Sequence, residues 1–301
     1  MVRRVLAGQQ RVLFRTASGT LALLDAYCPH LGADLGVGGR VVGESLRCPF
    51  HGFCFDVAGA CVSTPYGGKI PPTAQIASHP VREHHGLLLG WVGSGTPTFE
   101  IPALDTTGWT AWHAHAFDLA THPQEIAENS VDVGHLAAVH DYQNVAPLAP
   151  LAVDGPQLRA RYVFERPRPL FGAARVRAEM DIHQWGLGYA LVEVDVVSLG
   201  VRTRQLVLAT PTTTGRTYLR IAMAVHHIAA PGRVHPLLSL VPGGWLANRM
   251  ASAAIRQYAG DVAQDVPIWE AKGWTDRPAL AEGDGPIGPY RRWAKQFYPV
   301  A

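Results

Sequence analysis

Charge is what this chain has least of. Asp, Glu, Lys and Arg make up 17% of its 301 residues, and 26 basic against 24 acidic side chains leave a net charge of +2. Nucleic-acid binders and polybasic membrane-surface proteins rely on a large basic excess, so neither class is indicated. Long apolar runs are also missing. No stretch approaches the ~20 residues of a spanning helix, and no continuous apolar segment follows Met1-Val-Arg-Arg4 as a secretory leader requires. A cytoplasmic protein is the resulting expectation. Cysteine stops early: Cys28, Cys48, Cys54 and Cys61 are the full set. A secreted disulfide scaffold is shorter and denser in cysteine, so metal binding in a reducing compartment fits better. There is no internal repeat or low-complexity tract.

What the chain does have is apolar content, 48%, over a length able to fill two cores. From Arg3 to about Gly95 the pattern is short alternating strands, such as Arg11–Arg15, Leu21–Leu24 and Gly86–Val92. Turns at Ser18-Gly19, Gly38-Gly39 and Gly67-Gly68 separate them. The stretch Gly93–Pro102, with Pro97 and Pro102, reads as a boundary. Domains of residues 1–97 and 98–301 follow. The second is mixed: a helix over about 122–140 with Thr121 as cap and Pro123 near its start, strands between about 158 and 228, and a helix over about 244–271.

Chemistry enters with Cys28-Pro-His30 and Cys48-Pro-Phe-His51, a C-x-H and a C-x-x-H separated by seventeen residues. Two thiolates and two imidazoles hold either one zinc ion or a Rieske [2Fe–2S] cluster. Pro29 and Pro49 stiffen the two loops, and Gly32 and Gly52 let backbone approach the cluster. The flanking residues, Cys28-Pro-His-Leu-Gly32 and Cys48-Pro-Phe-His-Gly52, resemble Rieske loops closely. Cys54 and Cys61 fall outside the pattern and are expected as buried small hydrophobes.

A second set lies in Glu128-Asn-Ser-Val-Asp132-Val-Gly-His135-Leu-Ala-Ala-Val-His140, of the form D-x-x-H-x-x-x-x-H. Two His and one carboxylate make the facial set of non-haem iron(II) oxygenases. On an unbroken helix His135 and His140 would point about 140° apart. Both reach one metal only if the helix ends or bulges between them. The plainer alternative is two packed histidines on an apolar helix. The third ligand must come from elsewhere: Asp265, in Val262-Ala-Gln-Asp-Val-Pro-Ile-Trp269, or Asp261, one turn before it.

Together these segments resemble the oxygenase subunit of 3-ketosteroid 9α-hydroxylase and the related cholesterol 7-desaturases. The likeness also takes in Leu24-Asp-Ala-Tyr-Cys-Pro-His-Leu-Gly-Ala-Asp-Leu35, Pro65-Tyr66, Lys69-Ile-Pro-Pro72 and Gln264-Asp-Val-Pro-Ile-Trp269. It extends to an ending with Gly283-Asp-Gly-Pro286, Tyr290-Arg-Arg-Trp293 and Gln296-Phe-Tyr298. Phe53-Cys54 stands where relatives often carry Trp, and the segment after the iron helix is shorter than in the steroid enzymes.

The resemblance implies an α+β architecture, with a β Rieske domain before a catalytic domain whose antiparallel sheet is flanked by helices (helix-grip). It implies a [2Fe–2S] cluster on Cys28, His30, Cys48 and His51, and a mononuclear Fe(II) on His135, His140 and Asp265. Family members are usually head-to-tail trimers, in which Asp132 would carry an electron from His51 of one subunit to the iron of the next. Asn129 is a further candidate at the iron. Implied partners are a separate NAD(P)H-dependent reductase or ferredoxin, O2 and a hydrophobic substrate in a deep apolar pocket near Val139–Val145 and strands around 185–225. The implied reaction is hydroxylation or desaturation of a polycyclic compound. Aromatic-ring dioxygenation and O-demethylation belong to the same superfamily. A Rieske ferredoxin-type carrier would account for the first 95 residues only.

Overall fold

The structure is a computed structural model and describes residues 1–93, 95–167 and 175–298. The backbone divides into two compact units: Met1–Asp105 with Thr212–Thr214, and Thr106–Pro211 with the residues from Gly215 on.

The first unit is all β. Val2–Leu6, Gln9–Arg15, Leu21–Asp25 and Ser78–His79 form one antiparallel sheet in that order. Arg40–Val42, Ser45–Arg47, Cys54–Phe55 and Cys61–Ser63 form another. Alternation along Gln9–Arg15 sends Val12 and Phe14 into a core shared with Leu24, Leu35, Leu46 and Phe55. The strand expected over Gly86–Val92 is shorter, Leu87–Gly90. It pairs with Val81–His84 through a two-residue turn in which His85 and Gly86 both have positive φ, 51° and 76°. That geometry matches hairpin twist and leaves Gly86 outside the strand.

The second unit is an eight-stranded antiparallel sheet. Its path runs His113–Leu119, Thr217–Val225, Val201–Pro211, Tyr189–Val196, Arg175–Trp185, Gln157–Pro167, Gln143–Pro147, and Ala152–Asp154 also pairs with Gln157–Pro167. One sheet face is apolar and takes the helices. Leu219, Ile221 and Met223 pack against Ile255, Val262 and Trp269 of the long helix Gly243–Ala271 (here α4). Leu158, Ala160, Tyr162 and Ile182 pack against Ile287, Tyr290 and Trp293 of Ile287–Ala294 (α5). The opposite face is charged. Arg161, Asp181, Glu193 and Arg204 stand in register across four strands, with Arg204 4.1 Å over the Trp109 ring. Among the described residues, no helix is long and apolar enough to cross a membrane.

The helix expected over 122–140 is two short ones, Pro123–Glu128 (α1) and Val133–Ala138 (α2); Pro231–Val234 is α3. Thr121 is not the cap of α1. It is buried, and its carbonyl accepts from Thr217 Oγ1 at 2.7 Å. His122 caps instead, its Nδ1 accepting from the Gln124 N–H at 3.1 Å. Asp132 caps α2 by accepting from the His135 N–H at 3.2 Å.

Candidate metal centres

The two Cys–Pro loops of the first unit are conformational copies of one another. In each, the glycine four residues after the cysteine donates to the cysteine carbonyl, Gly32 to Cys28 at 2.9 Å and Gly52 to Cys48 at 3.2 Å. The cysteine N–H then reaches the carbonyl five residues on, Cys28 to Ala33 at 2.9 Å and Cys48 to Phe53 at 2.7 Å. Both glycines sit at positive φ, 75° and 72°, which L side chains rarely adopt. A side chain at Gly32 would meet nothing within 4 Å. The positive φ of the turn by itself calls for glycine at both positions.

The paired loops set Cys28 beside Cys48 and His30 beside His51. Cys28 and Cys48 are buried, and the His30 and His51 ring centroids are 4.6 Å apart. Burial first, and then the neighbouring Cys48 thiol, push the Cys28 thiol up to about 11, against a hydrogen bond from the His30 backbone. Two buried cysteines beside two histidines are the donor types of a Rieske cluster, so this set fits one. Phe53 stacks on His30, with centroids 4.6 Å apart and planes 6° apart. Cys54 and Cys61 are half-buried, not buried as expected, and each thiol points at a carbonyl, Gly52 and Ser63, at 3.5 Å.

In the second unit α2 stops between the two histidines. His135 lies inside it, Val139 closes it, and His140 follows in a turn where Asp141 has φ 56°. The break that the five-residue spacing demanded is therefore at Val139–Asp141. The two rings meet at 5.3 Å. Asp265 joins them from α4, and one ligand atom from each of His135, His140 and Asp265 lies within 4.8 Å of the others. His140 Nε2 is 3.3 Å from Asp265 Oδ1, with both side chains under 10% exposed. Burial disfavours the charged imidazole, but Asp265 and Asp261 outweigh it and raise the His140 pKa. His135 Nδ1 faces the Asp132 carbonyl at 2.5 Å, which fixes its tautomer and leaves Nε2 free. His140 Nδ1 is buried without a hydrogen-bond partner. A buried carboxylate, two converging imidazoles and an unsatisfied ring nitrogen fit a divalent metal ion.

Asp265 stands inside the apolar stripe of α4, between buried Val262 and Trp269. From Ile255, helical steps fall on Val262, Asp265 and Trp269, whereas Asp261 falls beside the stripe. Burial in the structure therefore separates the two aspartates, which their spacing along the chain leaves open. Asp261 instead faces Arg166, 3.7 Å away. Asn129 Nδ2 points at Asp265 Oδ2 from 3.4 Å. Burial would raise the Asp132 pKa, but hydrogen bonds from His135 hold it below the usual carboxylate range.

Two features of the site were missed in the sequence. Arg291 forms a bidentate pair with buried Glu128 at 2.6 and 2.8 Å, tying α5 to the end of α1. Gly285, at φ 83°, lies so close to Val131 that a Cβ there would sit 2.2 Å from its carbonyl oxygen. The Gly-Asp-Gly-Pro and Tyr-Arg-Arg-Trp segments are thus braces for the metal-bearing turn. Their co-occurrence with the His motif was the available signal.

A cavity of about 230 Å³ lies over the charged sheet face, lined by Trp109, Arg161, Asp181, Glu193 and Arg202 among others. It includes none of the three converging residues. An apolar cavity of about 10 Å³ lies between Ile126, Leu187, Tyr189 and Val207.

Residues 1–80 match the Rieske [2Fe-2S] domain, and residues 92–298 match the 3-ketosteroid 9alpha-hydroxylase C-terminal domain. The chain is a Rieske oxygenase of that family. It is 30% identical to a cholesterol 7-desaturase of Xenopus laevis over 97% of its own length and 67% of the relative's. It is 29% identical to a 3-ketosteroid-9-alpha-monooxygenase oxygenase component of Rhodococcus rhodochrous, over 97% and 75%. It spans 65% of a second desaturase, from Ciona intestinalis. Among solved structures, NdmA of Pseudomonas putida CBB5 with caffeine superposes with TM-score 0.74 at 20% identity, covering 98% of this chain and 83% of that one. Dicamba monooxygenase bound to dicamba gives 0.68 at 21%, covering 98% and 92%. Those two likenesses concern the fold. Rieske oxygenases of this family carry a [2Fe–2S] cluster and a mononuclear iron, and are oxidoreductases that act with O2.

Proposed function

We propose that this Rieske oxygenase hydroxylates or desaturates a hydrophobic polycyclic compound, steroid-like in outline, with electrons from a separate NAD(P)H-dependent reductase or ferredoxin. The observation that carries the reading is the meeting of His135, His140 and Asp265 in a chain whose first unit offers two cysteines and two histidines to a cluster. The substrate class rests on the relatives' names, cholesterol 7-desaturase and 3-ketosteroid-9-alpha-monooxygenase.

In this reading Cys28, His30, Cys48 and His51 hold the cluster, and His135, His140 and Asp265 hold the iron. Bound there, the two groups supply electron storage and dioxygen activation. The chain's own residues do the rest. The Asp132 carbonyl orients His135 through Nδ1. The Asn129 amide steadies the Asp265 oxygen that His140 does not face. Glu128 and Arg291 hold α1 against α5. Asp132 serves as the electron bridge from His51 of a neighbouring copy, in a head-to-tail trimer.

The test is metal analysis, mass measurement in solution, and product analysis with a surrogate reductase and a panel of steroids, terpenoids and aromatic acids. About three irons per chain, a trimer, and an alcohol or alkene formed on a polycyclic substrate are expected. About two irons per chain would make the protein a carrier, and products formed only from aromatic acids would move it to another branch of the superfamily.

A further inference from the structure

Asp261 and Asp265 stand one helical turn apart on α4, on the side of His140, yet a centre of two imidazoles and one carboxylate has room for only one of them. A second carboxylate at the ion would add charge and take a position that the open centre needs. Some feature must keep Asp261 away, and its surroundings supply one.

Asp261 is partly buried, 22% exposed, and its ion-pair partner among the described residues is the Arg166 guanidinium at 3.7 Å. Arg166 is held in place from behind. It lies 5.3 Å over the Tyr142 ring, and Tyr142 stacks on buried Phe164 with centroids 4.7 Å apart and planes 10° apart. Phe164 and Arg166 are two residues apart on one strand, so they project from the same sheet face, the one that receives the helices. Tyr142 is also 6.1 Å from the His140 ring. His140, Tyr142, Arg166, Asp261 and Asp265 thus form a closed circuit around one side of the centre. Arg166 Nε is buried and has no hydrogen-bond partner among the described residues. Among the described residues the Arg166 guanidinium meets the Asp261 carboxylate and the face of Tyr142.

We propose that Arg166, anchored on the Tyr142–Phe164 stack, is a positioning residue that draws the Asp261 carboxylate to itself and so keeps the mononuclear centre at one carboxylate, Asp265. This rests on the reading that His135, His140 and Asp265 hold the iron. With the guanidinium removed, Asp261 has no other ion-pair cation among the described residues and turns toward the ion one turn away. The consequence is a change in coordination number and metal affinity, not a loss of the site.

The test uses the full chain carrying its cluster, with Co(II) at the mononuclear site, because cobalt reports its ligands through visible absorption without turnover. Arg166→Gln should change the cobalt bands and tighten Co(II) binding by roughly 10-fold, the scale on which neighbours of metal ligands act. Arg166→Lys should restore the wild-type bands. Asp261→Asn should leave bands and affinity unchanged, and Arg166→Gln with Asp261→Asn should return both to wild type. The cluster absorption and a circular dichroism melt check folding, and if the Arg166 variants do not fold, Tyr142→Leu, which removes the ring under the guanidinium, should shift the cobalt bands in the same direction, and unchanged bands there would overturn the proposal. Wild-type bands in a folded Arg166→Gln protein would overturn the proposal and leave the iron site standing. Loss of cobalt in Asp261→Asn would make Asp261 a ligand and overturn it too. A wild-type chain that binds no Co(II) would sink this proposal and the reading of the triad together.

Discussion

The two centres are built on opposite plans. The cluster donors all lie between Cys28 and His51, on two copies of one loop, each closed by its own backbone hydrogen bonds and its own positive-φ glycine. The iron donors come from a broken helix and from Asp265 on α4, elements far apart in the chain that are joined by packing against the sheet, by contacts such as Asn129 with Asp265 and Glu125 with Lys272, and by the brace of Glu128 with Arg291. A locally closed site should tolerate distant damage and fail when a ligand goes. A site assembled from distant elements should fail also when its supports go, with no ligand touched.

Changes can break that contrast. The largest effects are expected at the ligands. Cys48→Ser should bleach the visible absorption and leave about one iron per chain, whereas Asp265→Ala should keep the absorption and weaken mononuclear iron binding by roughly 100-fold or more; loss of both metals in either variant would join centres drawn here as independent. Next comes the brace. Glu128→Ala leaves the Arg291 guanidinium, 14% exposed, without its carboxylate. A cost of about 3 kcal/mol and depleted mononuclear iron with an intact cluster are expected by chemical denaturation and metal analysis. Unchanged iron content would show that α2 holds its shape unaided.

Asp132 separates capping from electron transfer. Asp132→Ala removes the acceptor for the His135 N–H and should cost about 1 kcal/mol as well as turnover. Asp132→Asn keeps an oxygen at the cap, so it should keep stability and lose turnover; normal coupled activity in it would remove the bridge from the proposal. The smallest effect is expected on the charged sheet face. Burial acts to raise the Asp181 pKa, but Arg159, with His183 and Arg161, brings it below its ordinary value. A carboxyl depressed in the folded state stabilises above its unfolded pKa, and that contribution disappears as pH falls through the folded value. The wild-type melting temperature should therefore drop below about pH 4 more steeply than that of Asp181→Asn, and parallel curves would show no net contribution from the pair.

Much of this was legible beforehand because the ligating residue types carry their chemistry with them. Cys–Pro–His and Cys–Pro–Phe–His announced a cluster, and the five-residue gap between His135 and His140 required a helix break that the turn at Val139–Asp141 supplies. The cap of α1 was misread because Thr121 and His122 are both able to cap, and burial of Thr121 against Thr217 decides between them. Cys54 and Cys61 were placed too deep, since two-sided strand context does not reveal which edge stays open. The role of the tail was hidden because Arg291 and Glu128 are brought together only by the docking of α5 on α1.

By itself the sequence determined which atoms are offered to metal and which turns present them, because proline, positive-φ glycine and hydrophobic period act over a few residues. Only the tertiary structure decided which late aspartate meets the histidines and which one meets Arg166. One helical turn separates those two carboxylates along the chain, and the difference in their partners comes from where the packed face of α4 lies against the sheet.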